Sequence, residues 1–144
     1  MSIKVAPVGH SRILSVGTYR PKRVVPNSEI VDRIDSTDEW IQQRTGIETR
    51  RFAGDDESVI SMAKAACEMA LKRAKLTIQD IDTVILSTIS YPFQAPSAAT
   101  ELINELGNPK AAAFDISAAC AGFCYGVAMG SDLVRSGTSK NVLV

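Results

Sequence analysis

Residues 83–90 (TVILSTIS) and 111–116 (AAAFDI) are short, mostly apolar runs, the first rich in β-branched side chains. A strand with one wet face alternates polar and apolar residues; a run that stays apolar belongs in a sheet covered on both sides. Between the two runs, Pro96 stands where a helix would begin at its first position and Gly107 where it would end. After them come a small-residue helix over residues 120–135, closed by Gly137, and a further strand beginning at residues 141–144. Strands alternating with helices in this way predict an α/β fold with a parallel or mixed sheet.

Upstream the pattern is looser. Residues 11–16 (SRILSV) are read as a short strand closed by Gly17 and Pro21. Pro26-Asn27-Ser28 is read as a helix start with Asn27 as the cap. Ser36-Thr37-Asp38-Glu39 has the form of a capping box, with Ser36 the cap, and Gly46 stops the helix that follows. The clearest helix is residues 58–74, where Ile60, Ala63, Cys67, Ala70 and Ala74 recur at helical spacing and Lys64, Glu68, Lys72 and Arg73 lie off that stripe.

Sixteen basic and sixteen acidic side chains leave no net charge, which argues against a general nucleic-acid binder. Arg20-Pro21-Lys22-Arg23 and Arg50-Arg51 are either local anion contacts or a solvated surface. No apolar run approaches the roughly 20 residues that span a bilayer, and residues 1–10 lack the apolar core of a signal peptide. Three cysteines make no framework of pairs, which fits a reducing, cytoplasmic setting. The chain stops at Asn141-Val142-Leu143-Val144, inside an apolar strand, so residues 1–144 are expected to be a truncated part of a longer protein.

Phe114-Asp115-Ile116-Ser117-Ala118-Ala119-Cys120-Ala121-Gly122-Phe123 carries the chemistry. A buried strand runs through a tight small-residue turn and delivers a cysteine to the start of a helix. Free cysteine ionises at about 8.5, and the unpaired N–H groups and dipole of a helix N-terminus favour the nucleophilic thiolate. The same N–H groups can hold the oxyanion of a thioester under attack. A cysteine among alanines can equally be a small buried hydrophobe. Cys67, on the apolar stripe of its helix, is read that way. Cys120 and Cys124 are spaced too widely for a CxxC redox motif, and the chain offers too few ligands for a metal site.

Residues 114–123 resemble the active-site segment of the β-ketoacyl-acyl-carrier-protein synthase III family, which starts type II fatty-acid synthesis. Two more segments agree. Asp38-Glu39-Trp40 followed by Arg44-Thr45-Gly46-Ile47 is similar to the family's DEW and RTGI stretch, and Ala95-Pro96-Ser97-Ala98-Ala99 to the segment before the helix that precedes the nucleophile strand. The resemblance runs from about Ser11 to Val144, with the motifs in the family's order.

That resemblance implies the thiolase fold, a layered αβαβα arrangement of two similar halves with a mixed sheet, of which this chain would be the amino-terminal half. It implies that Cys120 accepts a short acyl group from coenzyme A, the acyl-CoA being a substrate, with no cofactor. Trp40 would stack on the adenine, Arg44 would meet the phosphates, and Ser36 would lie near the adenine. Their ordinary alternatives are a core anchor for Trp40, a surface ion pair for Arg44 and a helix cap for Ser36. The further implied partners are malonyl-acyl-carrier protein and a second copy of the chain, with no nucleic acid and no membrane.

Departures from the family are equally informative. The family's best-known members carry phenylalanine at the position of Ala95, where it reaches across the dimer and shortens the acyl pocket; Ala95 implies a roomier one. The family's decarboxylating histidine and asparagine, and its second glycine-rich oxyanion donor, have no counterpart. His10 is the single histidine, and Asn27, Asn104, Asn108 and Asn141 match nothing catalytic. The isolated chain is therefore expected to be inactive. Other readings are a related thiolase-like synthase, of the hydroxymethylglutaryl-CoA or starter polyketide or quinolone type, and an inactive fragment.

Overall fold

A computed structural model of the chain describes residues 9–144. The reading of residues 1–10 as free of a leader falls, up to residue 8, outside the described residues. The chain divides into two compact units, a smaller one of Tyr19–Ser58 and a larger one that joins Val59–Val144 to the residues before Tyr19.

In the smaller unit β1 (Arg23–Pro26) leads through a 3-10 turn at Asn27–Glu29 to α1 (Val31–Ile34) and α2 (Asp38–Thr45), and β2 (Thr49–Phe52) returns antiparallel to β1. Asn27 is not the expected cap. Its side chain is 1% exposed and donates to Asp38 Oδ1 at 2.5 Å and to the Ile47 carbonyl at 2.8 Å, while its oxygen accepts from Arg50. A carboxylate and a guanidinium are stronger partners than the local N–H groups a cap would serve, and they draw the amide inward.

The cap of α2 is Thr37 rather than Ser36. Thr37 has the extended backbone of a cap, and its Oγ1 accepts from the Trp40 N–H at 3.2 Å. With the cap moved by one residue, the third helical position is Trp40 and no carboxylate can reach back, so the expected box does not form. Gly46 ends the helix as expected, at φ 69°, with its N–H on the Gln42 carbonyl. Glu57 closes the unit by drawing its ends together. It accepts from the Tyr19 hydroxyl and from the backbone N–H groups of Lys22 at 3.1 Å and Gly54 at 2.9 Å.

The larger unit contains α3 (Val59–Ala74), β3 (Thr83–Ser87), α4 (Ala98–Leu106), β4 (Ala112–Ile116), α5 (Gly122–Arg135) and β5 (Val142–Leu143). Its sheet has the order β4-β3-β5, with both pairings parallel. Alternation along β3 assigns the faces. Val84 and Leu86 pack with Ala98, Ala99, Leu102 and Ile103 of α4 and with Ile60 of α3. Ser87 points the other way, towards Gly122 and Gly126 of α5. The sheet is thus covered by a helix layer on each face, as its apolar strands require.

Three expectations need correction here. Residues 11–16 form no strand among the described residues. Ile13 and Val16 are 73% and 57% exposed, and the segment bonds to α3 instead, Ser15 donating to the Ala70 carbonyl at 2.7 Å and Arg73 to the Val16 carbonyl at 2.6 Å. Gly17 permits that approach, since a Cβ there would lie 1.9 Å from the Ala66 carbonyl oxygen. β3 ends at Ser87 rather than at 90, because the Thr88 hydroxyl accepts the Ser90 N–H at 3.2 Å and turns the chain out of the ladder. Pro96 is not the first residue of α4. Ser97 is the cap, accepting from the Thr100 N–H at 3.2 Å, and Pro96 precedes it.

Candidate active site

β4 ends at Ile116, and the chain then turns tightly. Ala118 lies at φ −142°, ψ 28°, and Ala119 at φ 46°, in the left-handed region. A residue with a Cβ holds that conformation at a cost of roughly 1–2 kcal/mol. Such strain persists only where the surroundings over-determine it. Here the parallel strand fixes one side of the turn and α5 the other.

The residue presented by this turn is Cys120, whose side chain is exposed. It stands in a 3-10 turn, Ala119–Ala121, just ahead of α5 rather than within it. The N–H groups of Ala121 and Gly122, where that turn runs into the fourteen-residue helix, are bonded back to the carbonyls of Ala118 and Ala119.

Glycine lets α5 sit close enough to the sheet for this. A Cβ on Gly122 would lie 3.1 Å from Ser87 Cβ, one on Gly126 2.6 Å from Val144 Cγ1, and one on Gly130 3.2 Å from Val144 Cγ2. The Ser87 hydroxyl also donates to the Gly122 carbonyl at 2.9 Å, which pins the helix start to the central strand.

The other cysteines differ in setting. Cys124 is exposed on α5. Cys67 packs against the α3–α4 core, where burial, reinforced by the charge of Glu68, pushes its thiol up to about 11. Among the described residues no cluster of His, Cys, Asp and Glu could hold a metal ion, and no helix is long and apolar enough to cross a membrane.

Ala95 is exposed in the loop between β3 and α4, in the same unit as Cys120. That loop is held at several points. The Tyr91 hydroxyl donates to Glu101 on α4, and this bond, with partial burial and the charges of Glu101 and Asp115, pushes the phenol up to about 12. Tyr91 also meets the Phe93 ring edge-on at 5.7 Å. Asp115 on β4 accepts from the Ala98 N–H at 2.8 Å and the Ala99 N–H at 2.7 Å.

Ser36, Trp40 and Arg44 belong to the smaller unit. Trp40 is 55% exposed, so it is not the core anchor that its ordinary reading would make it. Arg44, one helical turn on, sits with its guanidinium 5.8 Å from the Trp40 ring centroid, a cation–π contact. Its charge is therefore held beside an open aromatic ring. The Ser36 hydroxyl is buried without a hydrogen-bond partner.

Sequence reasoning missed Ser87, the left-handed Ala119 and Asp115. Only Asp115 left a trace, as the one charge in an otherwise apolar strand.

Known proteins agree with the motifs. The family 3-oxoacyl-[acyl-carrier-protein (ACP)] synthase III matches residues 114–144. The beta-ketoacyl-[acyl-carrier-protein] synthase III of Kocuria rhizophila is 52% identical over 138 residues, which are 96% of this chain and 39% of that protein. The chain thus spans about two-fifths of the length of the curated relatives it matches. Among solved structures, the priming beta-ketosynthase of the R1128 polyketide biosynthetic pathway superposes with a TM-score of 0.88 at 43% identity, over 96% of this chain and 42% of its own. The 3-oxoacyl-[acyl-carrier-protein] synthase III of Aquifex aeolicus gives 0.85 at 39% identity, over 90% of this chain and 42% of its own. The resemblance carried by three motifs therefore extends through nearly the whole chain, in sequence and in fold, and the fold is the thiolase-like α/β one.

Proposed function

We propose that this chain, matched along nearly its whole length to 3-oxoacyl-[acyl-carrier-protein] synthase III, carries the nucleophile of such an enzyme and initiates type II fatty-acid synthesis. The observation that carries the reading is the exposed Cys120, held by a strained turn between a parallel strand and the start of α5.

The chemistry proceeds in two stages. Cys120 sulfur, as thiolate, attacks the carbonyl carbon of a short acyl-CoA. The carbon–sulfur bond to coenzyme A breaks, its thiol leaves with a proton, and an acyl-cysteine thioester remains. N–H groups at the start of α5 hold the transient oxyanion. Malonyl-acyl-carrier protein then loses carbon dioxide, and the carbanion left behind attacks the acyl-cysteine carbonyl. The product is a 3-oxoacyl-acyl-carrier protein, and the thiolate is regenerated. A covalent intermediate of this kind gives ping-pong kinetics, and no cofactor is needed.

Trp40 and Arg44 take the nucleotide end of coenzyme A in this reading. The exposed indole suits a planar base, and the guanidinium suits phosphate oxygens. Ser36 is placed near the adenine on the resemblance alone, since its hydroxyl oxygen is buried in this structure. Ala95 in the β3–α4 loop bounds the acyl pocket and leaves room for branched or longer primers.

The decarboxylating histidine and asparagine match nothing in these residues. We assign them to the part of the relatives' length that this chain does not span, and read residues 1–144 as an amino-terminal half. A homodimer working in the cytoplasm completes the proposal.

The deciding experiment is condensation by the intact protein, with the acyl-CoA and malonyl-acyl-carrier protein supplied. Cys120→Ala should abolish the 3-oxoacyl product, and retained turnover would refute the assignment. Strict preference for acetyl-CoA over isobutyryl-CoA and longer primers would sink the roomier pocket.

A further inference from the structure

The helix that carries Trp40 and Arg44 is poorly equipped to hold its own position. α2 has eight residues, too few for a helix to persist alone, and Ile41 is the residue it buries. An apolar anchor of that size holds a helix close but leaves its rotation free, because apolar burial has no direction. Hydrogen bonds do have direction.

The bonds that hold α2 converge on one amide. Asn27 is 1% exposed, and its side-chain nitrogen donates to Asp38 Oδ1 at 2.5 Å and to the Ile47 carbonyl at 2.8 Å. Asp38 opens α2, and Ile47 follows Gly46, the residue that ends it. The amide therefore grips the helix beside both of its ends. Its oxygen accepts from Arg50 on β2, whose guanidinium also donates to the Val25 carbonyl on β1 at 3.3 Å. The same side chain thus ties α2 to both strands of the hairpin. Gln42 adds a bond to Asp38 Oδ1 at 2.9 Å from within the helix. Asn27 is not capping α2, because the cap is Thr37.

Resting on the reading of Trp40 and Arg44 as contacts for the nucleotide end of coenzyme A, we infer that Asn27, acting through Asp38, is a positioning residue for nucleotide recognition, which fixes the rotation of α2 and so the direction in which the indole and the guanidinium face. It touches no substrate atom. Trp40 and Arg44 lie one turn apart on the same face of α2. Rotation of the helix therefore moves both together, and the contacts with base and phosphate weaken at once. The loss falls on the nucleotide and spares the thioester.

The test uses the intact protein and follows acylation of Cys120 in a single turnover, by mass. The donors are acetyl-CoA and acetyl-pantetheine, which carries the same thioester without the nucleotide. Asn27→Ala should raise the half-saturating concentration of acetyl-CoA roughly tenfold, leaving the maximal rate and the values for acetyl-pantetheine native. Asp38→Ala removes the other side of the bond and should do the same. Glu57→Gln is the control for a merely loosened unit, since Glu57 accepts from Tyr19, Lys22 and Gly54 rather than from α2. It should lower the unfolding temperature and leave both donors at native values.

A loss selective for acetyl-CoA in both variants, absent from Glu57→Gln, would establish the inference. Native values in either folded variant, an equal loss with both donors, or the same selective loss in Glu57→Gln would overturn it. If Asn27→Ala does not fold, Asp38→Ala decides by the same criterion. If acetyl-pantetheine does not acylate the unaltered protein, the split between half-saturating concentration and maximal rate with acetyl-CoA decides. An unaltered protein that takes both donors equally, or keeps its preference for acetyl-CoA in Arg44→Ala, would instead remove the nucleotide reading on which the inference rests, and the inference with it.

Discussion

Cys67, Cys120 and Cys124 offer one functional group in different surroundings, and their reactivities should separate accordingly. Burial pushes the Cys67 thiol up to about 11, so almost none of it is thiolate near neutrality. Cys120 and Cys124 are exposed. Brief alkylation of the native protein should therefore modify Cys120 and Cys124 and spare Cys67, which reacts only after denaturant is added; peptide mapping reads the result, and rapid labelling of Cys67 would contradict its packing. In the proposed reading Arg44 meets the phosphates of acyl-CoA, remote from the reacting carbon. Arg44→Ala should raise KM for acyl-CoA several-fold with kcat little changed, and an equal fall in kcat would place it nearer the chemistry. At this level the sequence was read well where a residue's role is local and poorly where it is not. Gly46 and Gly107 end their helices in the left-handed conformation because nothing beyond the neighbouring turn decides it. Asn27 was misread because Asp38, Ile47 and Arg50 reach it only once the smaller unit has closed.

Helices and strands were legible in proportion to how much of their stability is their own. The stripe of Ile60, Ala63 and Cys67 announced α3, and the helix runs over Val59–Ala74, within one residue of the periodicity. Residues 11–16 failed as a strand because a strand needs a partner's ladder, which no property of the hexapeptide can supply. The start of α4 was displaced because its N–H groups are met by Ser97 and by Asp115 from another strand, a contact absent from any local pattern. The packing makes two stability predictions. Leu102, 1% exposed in the core between α4 and the sheet, should cost about 2–5 kcal/mol when cut to alanine. Gly126→Ala adds a methyl group 2.6 Å from Val144 Cγ1 and 3.1 Å from Ser87 Oγ, and should destabilise by about 1–3 kcal/mol. Denaturant midpoints measure both, and a neutral Gly126→Ala would mean that α5 does not lie as close to the sheet as its glycines suggest.

Across the molecule, the two units carry separate parts of the proposed chemistry, and the smaller one depends on a titratable closure. The Glu57 carboxyl is held below its ordinary value, chiefly by the Tyr19 hydroxyl and then by the Gly54 N–H, against the cost of desolvation. A depressed carboxyl stabilises the folded state fully above its unfolded value of about 4.3. That contribution fades as pH falls through the lower, folded value. Protection factors of the amides across β1 and β2, taken against the intrinsic exchange rate at each pH, should therefore fall on acidification, and Glu57→Gln should lower them at neutral pH with a flatter acid limb; an unchanged profile would show that Glu57 does not close the unit. The proposed nucleophile rests on one local arrangement, a parallel strand, a strained turn at Ala119 and a glycine-seated helix, with Cys120 left exposed between them. The intact mass of the purified protein before and after incubation with acyl-CoA tests that arrangement most directly. The account predicts a gain of one acyl group, mapped to the Cys120 peptide and absent from Cys120→Ser. No gain, or a gain that survives in Cys120→Ser, would contradict it.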